Sequence, residues 1–163
     1  MPYSRVASSS RACVASLVAP AAPCTAVALL LARLLRRTAA AGAGRSGASF
    51  APTVAANLSA RVSSSRENRL GGWHSYRASK TALNMLTKSA AVELGQGGAP
   101  VICLLLHPGT VDTELSRPFN RNVPAKMLFT PETAVRCLLH VIAKAGPDDS
   151  GKLLCWDGTT VDW

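Results

Sequence analysis

The chain has 163 residues, room for one domain, and its 48% apolar content includes much alanine and only 5% aromatic side chains. Its net charge of +9 is lopsided: residues 1–66 hold eight arginines and no Asp or Glu, whereas residues 67–163 set ten Lys or Arg against nine Asp or Glu. The body is therefore nearly neutral. The basic head lacks the interleaved aromatics of a nucleic-acid-binding face, so nucleic acid is not an expected partner.

The head, residues 1–49, is rich in Ala, Ser and Arg, the composition of an organelle transit peptide. A remnant helix with partial disorder and an accidental reading of GC-rich coding sequence are the other readings. Ala12 to Ala32 forms an uncharged stretch, but Pro20 and Pro23 interrupt it and alanine dominates, which argues against a membrane span. Ala26 to Ala40 places Leu29, Leu30, Leu34 and Leu35 between arginines and reads as an amphipathic helix. Gly42, Gly44 and Gly47 then spell G-x-G-x-x-G. That motif grips a pyrophosphate only with a strand before it and a helix N-terminus after it, and here the order is helix then strand. It reads as a helix C-cap and loop.

Phe50 to Ser59 is a buried-strand pattern with a polar tip. A loop from Ala60 to Gly72 leads to a helix over Ser75 to Leu94, with Ala78, Ala82, Met85, Leu86, Ala90 and Leu94 expected on its buried face. Gly95, Gly97 and Gly98 end it. Val101 to Leu106 is a strand covered on both faces, broken by His107-Pro108-Gly109. Thr130-Pro131-Glu132 starts a helix running to about Lys144 and burying Val135, Leu138, Leu139 and Ile142. Gly151 to Trp156 is a last strand before an Asp157-Gly158 turn. Strands alternating with helices predict an α/β fold with a parallel sheet.

Five widely spaced cysteines, without Cys-x-x-Cys or a nearby His, read as small hydrophobes in a reduced compartment, and no metal site is indicated. No Gly-x-Ser-x-Gly elbow supports a hydrolase. Tyr76 and Lys80, four apart at the start of the predicted helix, project from one face. An ammonium beside a phenol favours the phenolate and makes it a usable acid-base group. His74 reads as a loop histidine and His107 as a structural one.

The context around this pair is Ser75-Tyr76-Arg77-Ala78-Ser79-Lys80-Thr81-Ala82-Leu83-Asn84, preceded by Asn57-Leu58-Ser59 and followed by His107-Pro108-Gly109-Thr110-Val111-Asp112-Thr113. With these motifs in this order, residues 50–163 resemble the C-terminal part of the short-chain dehydrogenase/reductase (SDR) family. The loop Asn68 to Trp73 resembles its branch of small carbonyl reductases related to the bacterial cell-contact factor.

The resemblance implies an NAD(P)-dependent oxidoreductase that reduces a carbonyl or oxidises an alcohol. It makes Tyr76 the acid-base residue and Lys80 the group that binds the nicotinamide ribose and lowers the phenol pKa. Pro108, Gly109, Val111 and Thr113 would line the nicotinamide side, with Asn57 beside them. The serine that polarises the substrate carbonyl has two candidates. Aligned on the strand, the family's second serine falls at Ala60, leaving Ser59; by a thirteen-residue interval to Tyr76 it falls at Ser63.

The family's opening strand and glycine-rich turn have no counterpart before residue 50. The expected fold is thus a partial Rossmann-type sheet, its last three strands with flanking helices, lacking the N-terminal dinucleotide-binding half. Two readings follow: an active cytoplasmic or organellar enzyme on a small carbonyl or alcohol, using NADP or NAD, or a truncated inactive form that pairs with itself or with a full-length SDR subunit.

Overall fold

The computed structural model describes residues 53–96 and 101–163. The amphipathic helix, the glycine motif at 42–47 and the uncharged stretch of the head lie outside these residues.

Four strands form one sheet in the order β1 (Thr53–Leu58), β2 (Val101–His107), β5 (Leu153–Cys155) and β6 (Thr160–Val161). The first three are parallel, with Leu58 opposite Leu106 and Leu106 opposite Leu154. Helix α1 (His74–Gln96) connects β1 to β2, and helix α2 (Pro131–Lys144) precedes β5. This is the α/β architecture that the alternating pattern predicts. β6 returns antiparallel to β5 because Asp157-Gly158 makes a tight reversal, with Gly158 at φ 85° and the Asp157 carboxylate accepting from Thr159 N at 3.0 Å. A separate two-stranded ladder, β3 (Thr110–Val111) with β4 (Leu128–Phe129), was not legible in the sequence.

The continuous apolar run of β2 is buried on both faces, and its alternating residues divide the core. Ile102, Leu104 and Leu106 pack with Val54, Ala56 and Leu154 against Leu138, Val141 and Ile142 of α2. On the other face, Val101 and Cys103 meet Ala91 and Leu94 of α1, while Leu105 meets Leu83, Leu153 and Cys155. Thr130 caps α2 as expected, accepting from Thr133 N, with Pro131 opening the helix.

Both helices are rotated from the predicted faces. α2 buries Ala134, Leu138, Val141 and Ile142 and leaves Val135 and Leu139 exposed. Its apolar residues extend too far around the helix for sequence to fix its rotation. α1 buries Leu83, Asn84, Thr87, Ala91 and Leu94, whereas Ala78, Ala82 and Met85 face solvent and Leu86 and Ala90 are only partly covered. Two polar residues lie on the inward face because the end of β1 offers them hydrogen-bond partners.

Leu104→Ala should lower unfolding free energy by about 3 kcal/mol, whereas Leu139→Ala should stay within about 0.5 kcal/mol of the parent. Urea titration followed by far-UV circular dichroism measures both; equal losses would restore Leu139 to the core.

Candidate active site

Helix α1 begins against a loop in unusual backbone conformation. Gly71, Gly72 and Trp73 have φ of 65°, 71° and 48°, and for tryptophan this left-handed conformation carries a steric cost. Arg77 holds it: its guanidinium donates to the carbonyls of Gly72 (3.0 Å), Gly71 (3.1 Å) and Val62 (2.9 Å). Trp73 O accepts the first helical bond from Arg77 N, so one residue fixes both the loop and the helix start. Tyr76 stands one turn after Trp73, and the Trp73 ring meets Phe119 edge-on at 5.0 Å. That contact joins the segment after β3 to the loop that precedes Tyr76.

Lys80 donates to the carbonyl of Leu58, the last residue of β1, at 2.8 Å, and its Nζ lies 5.9 Å from the centre of the Tyr76 ring. The pair thus projects together at the carboxyl end of parallel β1, where open α/β sheets bind ligands. The expected lowering of the phenol pKa does not appear. Burial pushes Tyr76 upward from its ordinary value, and the nearby ammonium engages a backbone carbonyl. Tyr76 therefore rests as a neutral phenol, a proton donor, at neutral pH.

The other predicted residues fall into two groups. Asn57, Ser59 and Ser63 knit β1 and the turn after it to α1. The Asn57 amide donates to Thr87 Oγ1 at 2.9 Å; Ser59 Oγ donates to Asn84 Oδ1 at 2.5 Å; Asn84 Nδ2 donates to Ser63 Oγ at 2.7 Å. Ser63 Oγ in turn donates to Ala60 O at 2.6 Å, and both serines are buried. Neither hydroxyl is brought to Tyr76 by a hydrogen bond.

Pro108, Gly109, Val111 and Thr113 continue from the end of β2 along a neighbouring loop. Gly109 has φ 77°, and a Cβ there would come within 2.6 Å of the Phe129 ring. Phe129 packs edge-on against Trp156 at 4.7 Å, so the turn is seated on an aromatic pair. Val111 O accepts from Ser116 Oγ at 2.6 Å, and Ser116 Oγ accepts from Thr113 N at 3.1 Å, which closes the loop on itself.

His107, at the end of β2, has a buried Nδ1 with no partner, and burial, with Arg61 second, pushes its pKa down to about 4. It is neutral at physiological pH, as a structural histidine would be. His74 is the exposed first residue of α1. Among the described residues no group of three His, Cys, Asp or Glu could hold a metal ion, and no helix is long and apolar enough to cross a membrane. Sequence reasoning missed Arg77 and Asn84; the available signal was that Arg77, Lys80, Thr81, Asn84 and Thr87 form one helical stripe of polar residues.

The family described as short chain dehydrogenase matches residues 60–124, which include Tyr76, Lys80 and the Pro108-Gly109 turn. Over this segment the chain is similar to that family. It is 37% identical over 108 residues to the C-signal protein of Myxococcus xanthus, covering 66% of this chain and 60% of that one. It is 38% identical over 107 residues to a 1-hydroxy-2-glutathionyl-2-methyl-3-butene dehydrogenase of Rhodococcus sp. (strain AD45), covering 65% and 45%. In structure it resembles the carbonyl reductase Sniffer of D. melanogaster, with a TM-score of 0.66 and 28% identity over 85% of this chain and 53% of that one. An NADPH-bound carbonyl reductase from chicken fatty liver gives a TM-score of 0.66 at 29% identity, over 85% and 54%. The chain thus spans about half to three-fifths of the length of these relatives.

The folded His107 pKa lies below its ordinary value of 6.5, so the unfolded chain binds the extra proton between pH 6.5 and about 4. Stability from this group should be full above pH 6.5 and fall by about 3 kcal/mol as pH drops through that window. His107→Gln should flatten that slope in urea titrations across pH; an unchanged slope would assign it elsewhere. Gly109→Ala should cost at least about 1 kcal/mol, because it combines left-handed backbone with a clash against Phe129. Thermal unfolding measures this, and a neutral outcome would contradict the seating of the turn.

Proposed function

We propose that this chain carries the acid-base part of a nicotinamide-dependent oxidoreductase that reduces a small carbonyl compound or oxidises the corresponding alcohol. The observation that carries this reading is the placement of Tyr76 and Lys80 together at the carboxyl end of β1, inside the segment that matches the family. Tyr76, held as a neutral phenol, donates its proton to the carbonyl oxygen as negative charge develops there. In the oxidative direction its phenolate accepts the alcohol proton. Lys80 stabilises that phenolate and offers N–H donors to the hydroxyls of a ribose.

NADP or NAD is the cofactor in this reading, and when bound in reduced form it would supply the hydride to the carbonyl carbon. Lys80 fits the ribose, and the turn at Pro108 and Gly109, with Val111 and Thr113, corresponds to the family's nicotinamide side, whereas the Asn57 amide is engaged by Thr87. Among the described residues no glycine-rich strand-turn-helix seats a pyrophosphate. The exposed rings of Trp73, three residues before Tyr76, and of Phe119 pack on each other, which would suit a carbonyl bearing an apolar group.

A second reading is an inactive subunit that pairs with a copy of itself or with a longer family member. The apolar side chains that α1 and α2 leave exposed, Met85, Val92, Val135 and Leu139, support it.

Titration with NADPH should quench tryptophan fluorescence saturably, and NADPH-dependent reduction of 4-nitrobenzaldehyde should fall at least about 100-fold in Tyr76→Phe with NADPH binding retained. No saturable quenching, together with a sedimentation mass above the monomer's 17.0 kDa, would favour the inactive subunit.

A further inference from the structure

Asn84 is fully buried on α1, two turns beyond Tyr76 and one beyond Lys80. An amide in that position costs free energy unless both its ends are matched. Here both are, and the polarity of the chain of bonds is determined. Ser63 Oγ gives its proton to Ala60 O at 2.6 Å, so toward Asn84 it can only accept. Asn84 must therefore present Nδ2 to Ser63, at 2.7 Å, and Oδ1 to Ser59, whose proton it accepts at 2.5 Å. Both serine protons are thereby committed within the protein, and the residue between them in the turn, Ala60, has no hydroxyl.

These bonds do not stand alone. The Asn57–Thr87 bond lies on one side of the Leu58 carbonyl and the Ser59–Asn84 bond on the other. That carbonyl is the acceptor for Lys80. Thr81 Oγ1 adds a bond to Ser63 O at 2.8 Å. Movement of residues 59–63 away from α1 would carry the acceptor of Lys80 with it.

We propose that Asn84 is a positioning residue for the Tyr76–Lys80 pair: it fastens Ser59 and Ser63 to α1, which fixes the Leu58 carbonyl beneath Lys80 and so sets where that ammonium stands relative to the Tyr76 ring. Ser59 and Ser63 serve this strut and not the substrate. The proposal rests on the reading of Tyr76 and Lys80 as the acid-base pair, but its test needs neither cofactor nor substrate.

The test follows phenolate absorbance near 295 nm in the full chain carrying Tyr3→Phe, which leaves Tyr76 as its one tyrosine. Lys80 is the cation beside the ring. Its effect on the phenolate depends on where the Leu58 carbonyl holds it, so Asn84→Leu and Ser63→Ala should each displace the Tyr76 midpoint by about half a pH unit or more. Leu94→Ala, as deeply buried on the same helix but near its far end, should lower Tm and leave the midpoint in place. If Asn84→Leu does not fold, Ser63→Ala, which removes one oxygen atom, decides the matter. Midpoints that stay at the parent value while Tm falls would overturn the proposal and make Asn84 a packing residue only. Loss of the oxidoreductase reading would show separately, as turnover indifferent to Tyr76→Phe.

Discussion

The first half of α1 is held to the sheet by hydrogen bonds. Arg77, Lys80, Thr81, Asn84 and Thr87 each bond to the segment from Asn57 to Ser63, at separations of 2.5 to 2.9 Å. Only from Ala91 onward does the helix pack on Val101 and Cys103 in the ordinary apolar way, with Leu83 reaching Leu105 between these regions. Apolar contacts tolerate sliding because they are non-directional, whereas a buried amide with two matched partners defines one register. The orientation of the candidate catalytic pair therefore derives from a polar seam, and the hydrophobic core supports it from behind.

That seam also shapes the electrostatics of the site. Lys80 is retained at the strand end by a carbonyl, and partial burial without a compensating donor keeps Tyr76 in its protonated form. His107 is held neutral at the end of the adjacent strand. The carboxylates near this edge are engaged elsewhere: Glu67 with Arg61 at 2.6 Å, and Asp157 with Thr159 at 2.6 Å. A proton donor beside a retained cation is an arrangement suited to an oxygen that gains negative charge.

Two turns that carry or precede candidate residues lock onto rings. Gly109 sits directly against Phe129, and Trp73 meets Phe119. β3 and β4 pair over two residues each, which closes the segment between them into a loop. The chain end is fastened to the same region, since Ser64 Oγ donates to Asp162 O and Val161 is buried beside Leu153.

The sequence by itself determined the order of the two helices and the three parallel strands, because the unbroken run at 101–106, the helical periodicities and the Thr130-Pro131 start are local signals. It also singled out Tyr76, Lys80 and the turn at Pro108 as a family pattern, and the segment similar to that family contains all three. The rotation of the helices was decided only by tertiary structure. Apolar residues surround α2 too widely to choose a face, and on α1 the choice fell to Asn84 and Thr87, whose partners lie about 25 to 30 residues earlier in the chain. The state of the phenol was decided there too. Spacing placed an ammonium one turn away, but burial and the carbonyl of Leu58, which no spacing rule can see, determined that Tyr76 remains a phenol.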